Sequence, residues 1–280
     1  MLGSTGFLGR HIAPALRAAG HTVITTGRSV GVDIPCPVLD LVSLEQVVRD
    51  SRPEAIVNLL GSGLSDPSAD TQTMDLINTS VPLLLVQSIA AVDPEIHLIH
   101  AASSTEEPSD SGDFESEYSR TKAAGTRALL DFAQDSSQPV SVLRIHNTYG
   151  SDQPGSRFFA SVVDSCLAGE TVRLNYPDRI RDFIHVDDVA AAFVAANQQP
   201  AQGTREFEVG TGVGTSLSEV AGMIATEAGG SPDLILENPH ADRHPATVAD
   251  SDRLVRPASI TLAQGIRSVV RDRREGDVHT

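Results

Sequence analysis

The sequence predicts an α/β protein built on a doubly wound, mostly parallel sheet, with a smaller C-terminal lobe. Apolar segments of strand length alternate with segments that carry apolar residues at helical spacing through the first half of the chain. This alternation is typical of successive βαβ units, which place parallel strands side by side with helices on both faces. A glycine-rich turn at residues 3–9 opens the first helical segment.

Short apolar segments bounded by turn residues predict the strands, at 21–26, 37–39, 55–60, 96–101, 141–146 and 206–209. Apolar residues three and four apart predict the helices, at 9–19, 44–51, 73–92, 117–133, 158–168, 186–196, 216–227 and 259–271. Residues 271–280 are charged, and we expect them to form a flexible tail.

The start of the chain conflicts with this topology. A glycine-rich turn of this kind follows a central strand, but only Met1 and Leu2 precede Gly3. We expect a gap at that position, with unpaired backbone on the neighbouring strands. Either a start codon assigned too late or a truncated chain would produce it.

Composition excludes several classes of protein. The chain has 21 Lys and Arg against 37 Asp and Glu, so its formal charge of -16 repels nucleic acid. Two cysteines, Cys36 and Cys166, lack metal-ligand spacing and predict free thiols in a reducing compartment. The apolar runs are strand-sized and no secretory signal is recognisable, so we expect a cytoplasmic protein without a membrane span.

The glycine-rich turn predicts a dinucleotide site. Its glycines lie three apart before a helix, so backbone N–H groups and the helix N-terminus can face a pyrophosphate without interference from Cβ atoms. A purely steric role for these glycines is the alternative. The predicted cofactor contacts of the turn are Gly3, Thr5, Gly6, Phe7, Leu8 and Gly9.

Further cofactor contacts are predicted after the following strands. Arg28 supplies a guanidinium where a ribose-binding carboxylate would stand, which favours NADP over NAD, although a solvated loop arginine is an alternative. Asp40 and Leu41 can meet the adenine edge, or Asp40 can simply cap a helix. Leu60 ends the strand predicted at 55–60 and completes this set.

Tyr118 and Lys122 form the strongest local feature. Residues four apart on a helix share one face, so the ammonium can lower the pKa of the phenol and also hold a nicotinamide ribose. Lys122 is the single lysine of the chain and stands four residues after one of only three tyrosines. If lysine were common, an exposed pair on the protein surface would be the ordinary explanation.

A partner hydroxyl is expected where the strand at 96–101 ends. Ser103 is favoured, with Ser104 and Thr105 as neighbours, although each hydroxyl can merely close a turn. Glu106 and Glu107 follow, so a carboxylate can assist acid–base chemistry, with solvated side chains as the ordinary alternative.

These residues resemble the extended short-chain dehydrogenase/reductases, the NAD(P)-dependent epimerase/dehydratase group that acts mainly on nucleotide-sugars. The resemblance covers nearly the whole chain. Besides the turn at 3–9 and the Ser103, Tyr118 and Lys122 set, it rests on Asn58, Gly61, Asn78 and the segments at 144–150 and 181–188. It implies a Rossmann domain at 1–150 and a lobe at 151–270 that is mainly substrate-binding, with segments returning to the sheet.

The resemblance also implies roles for single residues. Tyr118 would be the catalytic acid/base, Ser103 would hold the substrate oxygen and Lys122 would bind the ribose. The substrate contacts it implies are Ser104, Asn147, Arg181 and Arg243. No metal is implied, and homodimers that pair the helices at 73–92 and 117–133 occur in such families.

The expected activity is the reduction of a nucleoside-diphosphate 4-keto-6-deoxyhexose with NADPH. The same residues also fit a 4-epimerase or, through Glu106 or Glu107, a 4,6-dehydratase with retained NAD. A dinucleotide-sensing protein without catalysis is the alternative of another class. Pro108 and Ser151 replace residues usual in the family, which leaves the subtype of the reaction open.

Overall fold

A computed structural model describes residues 1–64, 69–109, 111–199, 202–230, 234–238 and 246–276. Its strands are β1 (Thr26–Gly27), β2 (Ile34–Pro35), β3 (Ala55–Asn58), β4 (His97–Ser103), β5 (Val140–Ile145), β6 (Asn147–Tyr149), β7 (Val172–Asn175), β8 (Ile180–His185), β9 (Thr204–Val209), β10 (Gly214–Ser216) and β11 (Leu234–Glu237). Its α-helices are α1 (Phe7–Ala18), α2 (Leu41–Ser51), α3 (Thr71–Met74), α4 (Val81–Val92), α5 (Glu117–Ser136), α6 (Phe158–Ala168), α7 (Val186–Gln198), α8 (Leu217–Glu227) and α9 (Leu262–Gly276).

The main sheet is parallel, as the alternating pattern predicts. β3, β4, β5 and β9 lie in that order. β1 and β2 pair in parallel, and Leu2 bridges Thr26 to Asn58. The carboxyl ends of these strands therefore meet at one edge, where ligands bind in folds of this kind.

The gap expected beside the first strand is present. Leu2 donates its N–H to Val57 O at 2.9 Å, Met1 O accepts from Thr26 N at 2.9 Å, and the Met1 amino group donates to Ile24 O at 2.7 Å. The predicted strand at 21–26 is reduced to β1, because among the described residues only Met1 and Leu2 lie between it and β3. A cavity of about 510 Å³ opens there and is lined by Met1, Leu2, Val23 and Ile56, among others.

The strand predicted at 37–39 is wrong. The segment that pairs with β1 is Ile34–Pro35, through Ile34 N to Thr25 O at 3.0 Å and Cys36 N to Gly27 O at 2.9 Å. The prediction rested on the apolar residues at 38 and 39, but the backbone pairing occurs three residues earlier. Cys36 and Cys166 are both buried free thiols, as expected.

Helices cover both faces of the main sheet. Ile12 and Leu16 of α1 pack with Val189 and Phe193 of α7 on one face. Residues of α2, α4 and α5 build the apolar core on the other face. This two-sided cover explains why β4 is buried along its whole length.

The helix predicted at 73–92 is interrupted. A π-helical turn, Asp75–Ser80, separates α3 from α4, and it brings Asn78 against α5. A Cβ at Gly125 would overlap the Asn78 carbonyl oxygen, so only glycine allows this approach. By length and composition, Thr71–Val92 could cross a membrane, whereas the sequence analysis expected no such segment. Its side chains Val81, Leu85 and Ile89 are buried in the core.

The C-terminal lobe has its own apolar core. Side chains of α6, α8, α9 and β7 pack around Tyr149. Within 151–270, α7 and β9 instead belong to the main sheet and its cover. Residues 271–276 were predicted to belong to a flexible tail, but they continue α9, which ends at Gly276. Val269 and Val270, just before them, are buried.

Two buried histidines on β4 predict a loss of stability in acid. Burial lowers the pKa of His97 to about 4, and burial together with the Lys122 charge lowers the pKa of His100 well below 6.5. The unfolded chain therefore binds more protons between pH 6.5 and pH 4, so the free energy of unfolding falls as pH falls through that range. We expect a slope of up to ~1.4 kcal/mol per pH unit for each histidine.

Urea unfolding between pH 7 and pH 4.5 measures this slope. Asn at position 100 keeps a polar group near the Asn58 side chain, which lies 3.1 Å from His100 Nδ1. We expect a flatter profile for His100→Asn and a still flatter one for the double variant with His97→Asn. Parallel profiles for all three proteins would contradict the assignment.

Candidate active site

The glycine-rich turn forms a cradle at the start of α1. Gly3 has φ +79°, and a Cβ there would lie 3.0 Å from the Leu59 carbonyl carbon. A Cβ at Gly9 would overlap the Gly3 carbonyl oxygen. Gly6 is the N-cap and offers no side-chain cap, so the first N–H groups of α1 stay open to a ligand. The residues present fit a pyrophosphate against this helix N-terminus.

The loop after β1 lies beside the cradle. Ser29 Oγ is 3.1 Å from Thr5 Oγ1, which brings the exposed Arg28 to the rim of the glycine-rich turn. Asp40 caps α2 by accepting from Ser43 N at 2.8 Å, which is the helix-capping role predicted as an alternative to an adenine contact. Leu41 begins that helix.

The loop after β3 is fixed by two asparagines. Asn58 accepts at Oδ1 from Leu60 N at 3.1 Å. Asn78 accepts from Ser62 N and donates to Ser62 O, both at 2.9 Å. Its amide also donates to Thr121 Oγ1 at 2.9 Å, which ties this loop to α5. Residues 58–62 are therefore held beside the cradle, where Leu59 lies against Gly3.

Ser103 and Tyr118 face each other beyond the carboxyl end of β4. Ser103 is the last residue of β4, and Tyr118 lies in the first turn of α5, which Ser116 caps. Burial raises the pKa of Tyr118 to about 12, and the Glu106 carboxylate adds to that rise. The Arg157 guanidinium and an interaction with the Ser103 hydroxyl oppose it. The phenol is therefore protonated at neutral pH and available as an acid.

Lys122 differs from expectation in one respect. It was expected to lower the pKa of Tyr118, but its Nζ donates to Ala101 O at 2.6 Å, and the guanidinium that lowers that pKa is Arg157. Lys122 is 3% exposed, and burial lowers the pKa of its ammonium. A buried ammonium needs a close acceptor, and the backbone carbonyl of β4 supplies one.

Glu106 has a structural partner instead of an open position. Its Oε1 accepts the N–H of Ser103 at 2.8 Å in a capping box, and its Oε2 lies 3.6 Å from Arg144 Nη1. Arg144 also pairs with Glu206 at 2.8 Å. Glu107 is exposed. The carboxylate of Glu106 thus contacts the backbone of Ser103 and not its hydroxyl, which instead lies 3.0 Å from Thr105 Oγ1.

The predicted substrate contacts are dispersed around this centre. Ser104 is buried next to Ser103, and Asn147 begins β6, which pairs with β8. Arg181, on β8, is 3% exposed, and its Nη2 lies 2.9 Å from Glu115 Oε2. Arg179 Nη1 meets the other oxygen of Glu115 at 2.6 Å. Arg243 lies outside the described residues.

Sequence reasoning missed three participants. Arg157 comes from a segment without a recognised pattern, and only the fold brings it near Tyr118. Glu115 stands three residues before Tyr118 and Arg179 two residues before Arg181, so nearness in sequence was the available signal for these two; their pairing across the fold was not predictable from it. In the described part of the chain, no group of three or more His, Cys, Asp or Glu side chains has metal-binding geometry.

Comparison with known proteins shows the family of the chain. The model of the NAD dependent epimerase/dehydratase family matches residues 1–210. The dTDP-6-deoxy-L-talose 4-dehydrogenase (NAD(P)(+)) of Kitasatospora kifunensis is 27% identical over 270 residues, covering 86% of this chain and 82% of that protein.

Two solved structures share the fold. UDP-glucose 4-epimerase of Thermotoga maritima, solved with UDP-glucose, has 20% identity and a TM-score of 0.83, and the match covers 98% of each chain. RMD of Pseudomonas aeruginosa, solved with NADPH, has 21% identity and a TM-score of 0.77 at the same coverage. The family model matches residues 1–210, which is three quarters of the chain. The protein therefore belongs to the NAD dependent epimerase/dehydratase family of enzymes.

Proposed function

We propose that this protein is an NADPH-dependent reductase of a 4-keto-6-deoxyhexose bound to a nucleoside diphosphate. One observation carries the proposal: a protonated phenol, a strand-end hydroxyl and a buried ammonium converge beside a glycine-lined helix N-terminus. When bound there, the cofactor would supply a hydride to the sugar ketone. Tyr118 would donate its proton to the ketone oxygen, and Ser103 would polarise that oxygen.

Arg28 supports NADP as the cofactor. Its exposed guanidinium stands at the rim of the cradle, where it can pair with a 2′-phosphate. The related dehydrogenase of Kitasatospora carries NAD(P)(+) in its name, and the Pseudomonas RMD structure contains NADPH. NAD remains the alternative cofactor, and the cradle residues 3–9 would hold the pyrophosphate of either one.

A 4-epimerase with retained NAD is the second candidate, favoured by the likeness to the Thermotoga epimerase. The 4,6-dehydratase alternative has less support, because Glu106 is engaged by the Ser103 N–H and Glu107 is exposed. A sensor without catalysis has no use for a proton donor such as Tyr118, which argues against that reading.

Three accessory proposals remain. Residues 151–270 would supply the sugar-binding lobe, with Ser104 and Asn147 near the sugar and Arg181 and Arg243 near the diphosphate. A homodimer would pair α4 and α5 with their copies. The buried free thiols of Cys36 and Cys166 agree with a reducing compartment, which favours the cytoplasm.

The proposed activity predicts consumption of NADPH with a panel of nucleoside-diphosphate 4-keto-6-deoxy sugars. We expect a fall in NADPH absorbance with at least one of them and a weaker response with NADH. Protein that carries bound NAD after purification, and interconverts nucleotide-sugars without added cofactor, would support the epimerase instead.

We expect that replacing the Tyr118 phenol abolishes most turnover but leaves the cofactor site intact. Tyr118→Phe should lower kcat by about 10²–10⁴-fold, because the variant lacks the proposed donor of a proton to the ketone oxygen. NADPH affinity, measured by calorimetry, should stay within about twofold of the wild type. Tyr149→Phe is the matched control: the Tyr149 hydroxyl is buried and has no hydrogen-bond partner among the described residues. Equal turnover in Tyr118→Phe and the wild type would remove Tyr118 from the mechanism.

The Glu115 carboxylate predicts competition with the substrate diphosphate. It occupies both Arg179 and Arg181, so a bound diphosphate must displace it or share the guanidinium groups with it. Glu115→Gln keeps the shape and removes the charge, and we expect KM for the nucleotide-sugar to fall about fivefold at unchanged kcat. Glu117→Gln, which instead loses an exposed pair with Arg120, should leave KM unchanged. An equal or higher KM in Glu115→Gln would show that Glu115 does not compete.

A further inference from the structure

Four hydroxyl groups lie in a row beside Tyr118. Ser103, which faces the phenol, has its Oγ 3.0 Å from Thr105 Oγ1. Ser119 Oγ donates to Thr105 Oγ1 at 3.0 Å. Ser119 Oγ is also 3.0 Å from Ser116 Oγ. The row is therefore continuous at hydrogen-bond distance from the neighbour of the phenol to the N-cap of α5.

The row crosses from the interior to the surface. Ser103 is 9% exposed and Ser119 is 1% exposed, whereas Ser116 is exposed to solvent. The crossing follows from local structure, because Ser103 and Ser116 are both N-caps whose hydroxyls accept backbone N–H groups. Thr105 and Ser119 fill the space between the two caps with hydroxyl groups.

The hydrogen-bond directions allow inward proton movement. A hydroxyl can donate and accept at once, so a chain of hydroxyls can pass a proton by exchanging donor and acceptor roles. Ser119 donates to Thr105, which is the inward direction. Either oxygen can donate in the Ser103–Thr105 and Ser116–Ser119 pairs, so both pairs can align with it.

The charged groups near the phenol do not interrupt the row of hydroxyls. The Lys122 ammonium donates to Ala101 O, and the Glu106 carboxylate accepts from the Ser103 N–H. Neither contact lies along the row of hydroxyls. Arg157 keeps its proton at any working pH, because a guanidinium does not deprotonate in proteins.

We propose that Ser103, Thr105, Ser119 and Ser116 form a relay that returns a proton from solvent to Tyr118 after each reduction. The hydride brings two electrons to the ketone carbon, and the phenol proton completes the alcohol. The phenolate then takes a proton from Ser103, Ser103 from Thr105, Thr105 from Ser119, Ser119 from Ser116, and Ser116 from water. Each turnover consumes one NADPH and one proton from solution.

The relay rests on the proposed reductase activity. A reductase loses the phenol proton to its product and must replace it from solution. An epimerase removes a proton from its substrate and later returns it, so its phenol needs no supply from solvent. The relay therefore serves a net reduction, and the epimerase would not need it.

Pre-steady-state kinetics of Thr105→Val test the relay. Valine keeps the branched shape and removes the central hydroxyl. We expect a burst of one NADPH per site at the wild-type rate, because the first phenol is already protonated, followed by turnover slowed about tenfold or more. The solvent deuterium isotope effect on that slow phase should exceed the wild-type effect. Ser119→Ala should behave alike, and Thr105→Ser should restore wild-type turnover.

The outcomes separate the relay from the activity. Ser136→Ala, at the far end of α5, controls for loss of a serine hydroxyl and should leave both phases unchanged. Wild-type turnover in Thr105→Val or in Ser119→Ala would overturn the relay but not the reductase activity. A burst slowed as much as the steady state would indicate a structural role for the hydroxyl and would also overturn the relay. If the wild type oxidises no NADPH with any sugar of the panel, the reductase is overturned, and the relay with it.

Discussion

The hydrogen bond between the Lys122 ammonium and the Ala101 carbonyl sets the geometry of the candidate site. A buried ammonium without an acceptor would be costly, so α5 must keep this residue against the end of β4. With one end of the helix face fixed, Tyr118 lies one turn earlier on the same face and meets Ser103 two residues beyond Ala101. Gly125 and Asn78 make the same approach possible from the other side of α5.

Much of this arrangement followed from local pattern. The spacing of Tyr118 and Lys122 and the position of Ser103 after an apolar strand needed only the periods of helix and strand. The strand at 21–26 was overestimated because pairing depends on a neighbour that local pattern does not report. The π-helical turn around Asn78 was missed because its apolar spacing resembles that of an ordinary helix. Arg157 and Glu115 were missed because their roles depend on contacts across the fold.

Several arginines near the candidate site are paired with carboxylates, in a chain whose net charge is -16. Arg144 lies among Glu106, Glu206 and Glu208 beneath the site, and Arg181 shares Glu115 with Arg179. Such pairs contribute modestly to stability when exposed and cost desolvation when buried, so their value here is positional. They hold the ends of β4, β5 and β8 in register with the loop before α5.

The solitary lysine has a practical consequence. Lys122 is 3% exposed in the middle of a buried helix face, so a lysine-specific protease finds no accessible peptide bond at that residue while the domain stays folded. Cleavage requires opening of α5 and yields one N-terminal fragment of 122 residues. The rate at which that fragment accumulates would thus report how often the helix bearing the phenol detaches from the sheet.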